Sequence, residues 1–170
     1  MTTPSPFDAE LLARAAAIID LCKQRGVMVA TAESCTGGLV AGVLTEIAGS
    51  SAVVDRGFVT YTNEAKSELI GVPPELIEEF GAVSRQVARA MAEGALKRSR
   101  AGVTVAITGV AGPGGGTDEK PVGLVHFASA RRGGETAHRE CRFGDPGRPG
   151  VRRAAILVAL EMIEASARAF

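Results

Sequence analysis

A three-layer α/β/α fold around a mixed, mostly parallel sheet is what this sequence predicts, on three observations. Apolar residues recur at helical spacing in Leu11, Leu12, Ala15, Ile18, Ile19 and Cys22, and again in Ile156, Leu157, Leu160 and Ile163. Short continuous apolar runs, Val27 to Ala32 and Val103 to Ile107, alternate with the helical stretches, as strands buried on both faces do. Two later strand-like stretches, Val122 to Ala130 and Thr136 to Phe143, flank Gly133-Gly134 as a hairpin, which adds antiparallel pairing to the sheet.

The elements follow in order. Asp8 is an N-cap candidate for a first helix that stops at Gly26. Val27 to Ala32 is a buried strand, and residues 33–38 form a tight turn. Leu39 to Ile47 is a second helix, ended by Gly49. Val53 to Tyr61 is rich in β-forming residues and is read as a strand, with a bend allowed at Asp55-Arg56-Gly57. Asn63 caps a helix through Leu69, Pro73-Pro74 opens a short one, and Ser84 caps a long one to about Arg98. After the 103–107 strand comes a glycine loop, residues 108–116. Pro149 to Ala167 closes the chain as a helix. No internal repeat or linker interrupts it, so residues 1–170 are read as one domain.

Composition narrows the function. Hydrophobic residues make up 46% of the 170, which excludes a disordered chain. Nineteen basic residues balance nineteen acidic ones, so no global charge draws the protein to nucleic acid or an anionic membrane. No apolar run reaches the roughly 20 residues of a membrane span. The first six residues lack the pattern of a signal peptide, so the expectation is a cytoplasmic protein. Cys22, Cys35 and Cys141 are an odd number without close pairing and read as reduced thiols. Beside two histidines, His126 and His138, they show no metal-ligand spacing, and no metal is expected.

Four stretches could carry chemistry. In Glu33-Ser34-Cys35-Thr36-Gly37-Gly38 the strand runs into a helix. Amides at such a start can hold an anion or oxyanion, and Ser34, Cys35 or Thr36 could be a nucleophile. Equally, the hydroxyls could simply cap the helix. In Tyr61-Thr62-Asn63-Glu64-Ala65-Lys66, a desolvated Lys66 could be a general base and Tyr61 its partner; most lysines, by contrast, face solvent. The glycine loop, with Thr108, Gly109, Gly112 and Gly114, could wrap a phosphate beyond the strand ends, or be only a turn. It lacks Gly-Lys-Ser/Thr, which disfavours NTP hydrolysis. Arg148, in Phe143-Gly144-Asp145-Pro146-Gly147-Arg148, could pair with a phosphate or be a surface charge.

Taken together, Ala32-Glu33-Ser34-Cys35-Thr36-Gly37-Gly38, Arg56 to Lys66, Gly81-Ala82-Val83-Ser84, Thr108 to Gly115 and Lys120-Pro121-Val122-Gly123 occur in one order over nearly the whole chain. This set resembles the CinA C-terminal domain family, the nicotinamide-nucleotide amidases. The resemblance implies hydrolysis of nicotinamide mononucleotide to nicotinate mononucleotide and ammonia, in pyridine-nucleotide salvage. It implies a serine–lysine mechanism with no metal and no cofactor; a homo-oligomer is expected because the dyad could need two subunits and symmetric assembly is common. Carried over, it gives Ser51 as nucleophile, Lys66 as base and Tyr61 as helper. Thr36, Gly37, Gly38, Thr108, Gly109, Gly112, Gly114 and Arg148 are expected to hold the nucleotide. A non-catalytic nucleotide-binding module is the alternative, and a phosphohydrolase is disfavoured because no acidic metal cluster stands out.

Strand length creates a conflict. Ser51 precedes the 53–61 strand and Lys66 follows it, so a straight strand holds them roughly 30 Å apart. A sharp bend near Gly57, or a site shared between subunits, would be required. If the 27–32 and 53–61 strands are parallel, Ser34 and Lys66 instead share one sheet edge with Thr108. Topology favours Ser34 and the resemblance favours Ser51, which is placed first.

Overall fold

The computed structural model describes residues 3–170. Its sheet has five strands in the order β2-β1-β3-β4-β5. These are β1 (Val29–Glu33), β2 (Val54–Val59), β3 (Val103–Gly109), β4 (Leu124–Arg131) and β5 (Ala137–Arg142). β1 pairs in parallel with both β2 and β3, and β4 and β5 are antiparallel additions. The central strands β1 and β3 are buried almost throughout, whereas the edge strands β2 and β5 are largely open. That difference explains why only the central pair reads as unbroken apolar sequence.

Six helices cover the sheet: α1 (Ala9–Arg25), α2 (Leu39–Thr45), α3 (Asn63–Ile70), α4 (Pro74–Phe80), α5 (Arg85–Lys97) and α6 (Arg148–Arg168). On one face α1, α2 and α6 build a core of large side chains around Ile18, Ile19, Leu44, Ile107, Leu160 and Ile163. Fully burying each such side chain contributes about 1.5–3 kcal/mol. The other face is built from small residues. Ala32, Ala106, Ala128 and Ala130 of the sheet meet Ala88, Ala92 and Ala95 of α5, so that helix lies close. Thr104 Oγ1 donates to the Ala92 carbonyl across this contact at 2.8 Å. The three-layer α/β arrangement is thus as the sequence predicts.

Local signals set the ends. Asp8 accepts from Leu11 N, and Gly26 closes α1 in the left-handed conformation. Ser84 caps α5 through Val87 N. Several boundaries differ from the sequence reading. Thr62, not Asn63, caps α3, accepting from Ala65 N. β1 extends to Glu33, which moves that carboxylate from a turn into the buried sheet. α2 ends at Thr45, and Ser50–Ala52 forms a short 3-10 turn before β2. The bend anticipated near Gly57 is a register irregularity at the start of β2, opposite Val29 and Ala30. It does not fold the strand back.

Candidate active site

Parallel pairing brings the carboxyl ends of β1, β2 and β3 to one edge, where open α/β sheets bind ligands. Ser34 follows β1, and its N–H continues the ladder to the Ile107 carbonyl at 3.0 Å. Thr60 to Lys66 follow β2 and turn into α3, and Thr108 and Gly109 end β3. Between them lies a cavity of about 210 Å³ lined by Ser34, Tyr61, Lys66, Thr108, Gly109 and Arg148, among others. A larger groove of about 510 Å³ lies between α3 and α4, but it includes neither Ser34 nor Lys66. The smaller cavity gathers the candidate catalytic side chains.

Lys66 is 1% exposed, among the largest fully buried side chains of the protein. Its Nζ lies 3.1 Å from Ser34 Oγ and 2.9 Å from the Thr60 carbonyl, with the Tyr61 and Thr62 carbonyls at 3.4 and 3.5 Å. Burial lowers its pKa below the ordinary lysine value. In its neutral form the amine would have two N–H donors for these carbonyls and one lone pair for the Ser34 hydroxyl proton.

Ser51 is in a different place. It is exposed, in the 3-10 turn that precedes β2, while Lys66 lies beyond the far end of that strand. The two residues do not meet within one chain, whereas Ser34 and Lys66 do. The reason is the strand-length argument: β2 runs straight enough to separate its ends.

The neighbouring Cys35 is buried, and desolvation pushes its thiol up to about 11. A thiol shifted this way carries little thiolate at neutral pH, which disfavours it as a nucleophile. Tyr61 also differs from expectation. Its carbonyl faces Lys66, but its hydroxyl is held by Arg148 Nη2 at 2.9 Å, so the phenol stands at the mouth of the cavity with its side chain exposed. Arg148 Nη1 donates to the Gly112 carbonyl at 2.7 Å. One arginine therefore ties the glycine loop to Tyr61. Thr108 Oγ1 donates to the Ala82 carbonyl at 2.8 Å and lines the cavity. Gly114 is exposed with open space around it, at some remove from these groups.

The turn after β1 corrects another expectation. The start of α2 does not offer its amides to a ligand. The buried Glu33 carboxylate takes them, accepting from Gly38 N, Val40 N and Ala41 N at 2.9–3.1 Å and from Thr36 Oγ1 at 2.6 Å. Gly37 N donates to the Ser34 carbonyl. Thr36, Gly37 and Gly38 therefore shape the turn through these groups. Among the described residues, the N–H groups of Cys35 and Thr36 donate to no other residue, and they directly follow Ser34 in the chain. Arg152, which the sequence offers with Arg148 and Arg153 as a short basic cluster, donates to the Cys35 and Thr36 carbonyls from α6 at 3.1 and 3.3 Å. It lies one helical turn from Arg148.

Comparison with known proteins identifies the family. Residues 12–167 match the model of the CinA C-terminal domain. The chain is 53% identical over 157 residues to the nicotinamide-nucleotide amidohydrolase PncC of Escherichia coli (strain K12), covering 92% of this chain and 94% of that protein. A putative competence-damage inducible protein of Symbiobacterium thermophilum is 55% identical over 84% of this chain, which corresponds to 35% of that longer protein. The crystal structure of the competence/damage inducible protein CihA from Agrobacterium tumefaciens superposes with a TM-score of 0.94 at 59% identity, covering 95% of this chain and 98% of that one. The chain belongs to the CinA C-terminal domain family.

Proposed function

We propose that this protein is an amidohydrolase that converts nicotinamide mononucleotide to nicotinate mononucleotide and ammonia, with Ser34 as nucleophile and Lys66 as base. One observation carries the mechanism: a fully buried lysine whose amine lies 3.1 Å from a serine hydroxyl at the floor of a cavity. The substrate is supported by the likeness to the Escherichia coli nicotinamide-nucleotide amidohydrolase over nearly the full length of both chains.

In this reading Ser34 Oγ attacks the carboxamide carbon as Lys66 Nζ takes its proton. The carbonyl oxygen becomes an oxyanion, received by the free N–H groups of Cys35 and Thr36. The lysine then protonates the departing nitrogen, the C–N bond breaks, and ammonia leaves. Water, deprotonated by the same lysine, cleaves the acyl ester and restores Ser34. Arg148 and the glycine loop take the phosphate. Pockets for small molecules commonly hold about 300–1,000 Å³. At about 210 Å³ the cavity suits the ring and the reacting amide, with the phosphate lying out over the loop.

The same reading places the enzyme in the cytoplasm, in salvage of pyridine nucleotides, as a homo-oligomer. No helix among the described residues is long and apolar enough to cross a membrane. Both sheet edges, β2 and β5, are unpaired within the chain and available to a second copy. The test is product analysis. Ammonia and nicotinate mononucleotide should appear in equal amounts. Release of inorganic phosphate, or binding without turnover, would replace this reading with the phosphohydrolase or the binding module.

A further inference from the structure

Arg152 lies outside the cavity lining, yet both free amides beside Ser34 end hydrogen-bond chains that begin on its guanidinium. In the shorter chain, Nε donates to the Cys35 carbonyl at 3.1 Å. That carbonyl shares a peptide unit with the Thr36 N–H. In the longer chain, Nη2 donates to the Thr36 carbonyl at 3.3 Å, and the same peptide unit's Gly37 N–H donates to the Ser34 carbonyl at 3.0 Å. The Ser34 carbonyl in turn shares its peptide unit with the Cys35 N–H. Each link polarises the next, because a carbonyl that accepts a hydrogen bond makes its peptide N–H a stronger donor. Arginine suits the origin of such chains, since its charge is permanent and its planar fork fits two carbonyls at once.

We infer that Arg152 is a positioning residue for the oxyanion site. It fixes the two peptide planes after Ser34 and polarises their N–H groups through the backbone, without touching substrate. The inference rests on Ser34 being the nucleophile. The turn is held on its other side by Glu33, whose carboxylate takes Thr36 Oγ1 and Gly38 N. Arg152 and Glu33 thus engage different atoms of the turn. Only Arg152 acts on the peptide units that carry the free amides.

The test uses the full chain with Arg152→Gln and Arg152→Lys. Deleting an oxyanion donor outright costs about 10²–10³ in kcat. Losing its polarisation should cost Arg152→Gln roughly tenfold to a hundredfold in kcat, with KM little changed. Arg152→Lys keeps the charge and should recover part of the loss. The distinguishing readout is an arylboronic acid bearing the pyridine ring, which forms a tetrahedral adduct on an active serine. Its affinity should fall in Arg152→Gln in proportion to kcat, while product affinity and the acid limb of the pH profile stay as in the wild type. Parallel loss of product affinity, or unchanged boronate affinity in a folded Arg152→Gln, overturns the inference. Should Arg152→Gln fail to fold, Arg152→Lys carries the test: a partial, parallel loss of kcat and boronate affinity with product affinity kept sustains the inference, and wild-type-like values of both in folded Arg152→Lys overturn it. A boronate that binds Ser34→Ala as well as wild type refutes the nucleophile itself, a separate failure seen in a separate variant.

Discussion

Replacing Glu33 by Gln should loosen the turn that carries Ser34 by an amount that follows from its hydrogen bonds. The carboxylate accepts four, three on Oε2 and one on Oε1. A glutamine can keep its carbonyl oxygen at the Oε2 position, but its NH2 then faces Ala41 N–H, donor against donor. One buried N–H loses its acceptor, at about 1–3 kcal/mol, and three bonds lose their ionic character, each weakening by up to about 1 kcal/mol. The favourable interaction of the charge with the start of α2, about 0.3–1 kcal/mol, also goes. Relief of the carboxylate's own desolvation offsets part of this sum. A net loss of about 2–4 kcal/mol is expected. At about 2–4 °C per kcal/mol for a domain of this size, Tm should drop by about 4–16 °C. Calorimetry of Glu33→Gln beside Glu46→Gln checks it, because Glu46 is exposed at the other end of α2. The control should stay within about 0.5 kcal/mol of wild type. A Tm for Glu33→Gln equal to that of the control would refute the capping role.

Further outcomes follow from the same geometry. Activity should rise with pH along one limb set by Lys66. Burial lowers its pKa from 10.5, so the limb lies at lower pH than a free lysine would give, and only the neutral form accepts the Ser34 proton; a rate independent of pH from acid to alkaline would count against a lysine base. Cys35→Ala should keep ammonia release within a few-fold of wild type, because a thiol at about 11 is protonated at neutral pH; loss of activity in a folded variant would reinstate the thiol. Arg148→Ala should raise KM for the mononucleotide by roughly 10- to 100-fold, the scale of a lost charge-assisted contact at about 1.5–3 kcal/mol. It should change the rate with free nicotinamide far less, and equal losses on both substrates would mean that Arg148 serves only to brace Tyr61 and Gly112.

Legibility in the sequence depended on range. Features fixed within a few residues read directly: Asp8 and Gly26 bound α1, and Ser84 starts α5. The meeting of Ser34, Lys66 and Thr108 was also legible, since parallel strands deliver their carboxyl ends to one edge. Ser51 lies apart from Lys66 within one chain, a separation that the strand rise alone already indicated. The use of the α2 amides was hidden, because whether Glu33 faces the helix or a ligand depends on one side-chain orientation at a strand end. Arg152 was hidden by distance, reaching Cys35 across 117 residues of sequence. A buried lysine is likewise invisible in composition; its burial comes from the packing of α3 between β2 and α5.

The most direct test of the Ser34–Lys66 account is ammonia release from nicotinamide mononucleotide by Ser34→Ala and Ser51→Ala, measured side by side on folded proteins. Ser34→Ala should fall by about 10³-fold or more, as when a nucleophile is removed, and Ser51→Ala should stay close to wild type. Retained activity in Ser34→Ala together with loss in Ser51→Ala would contradict the account and return the nucleophile to the far end of β2.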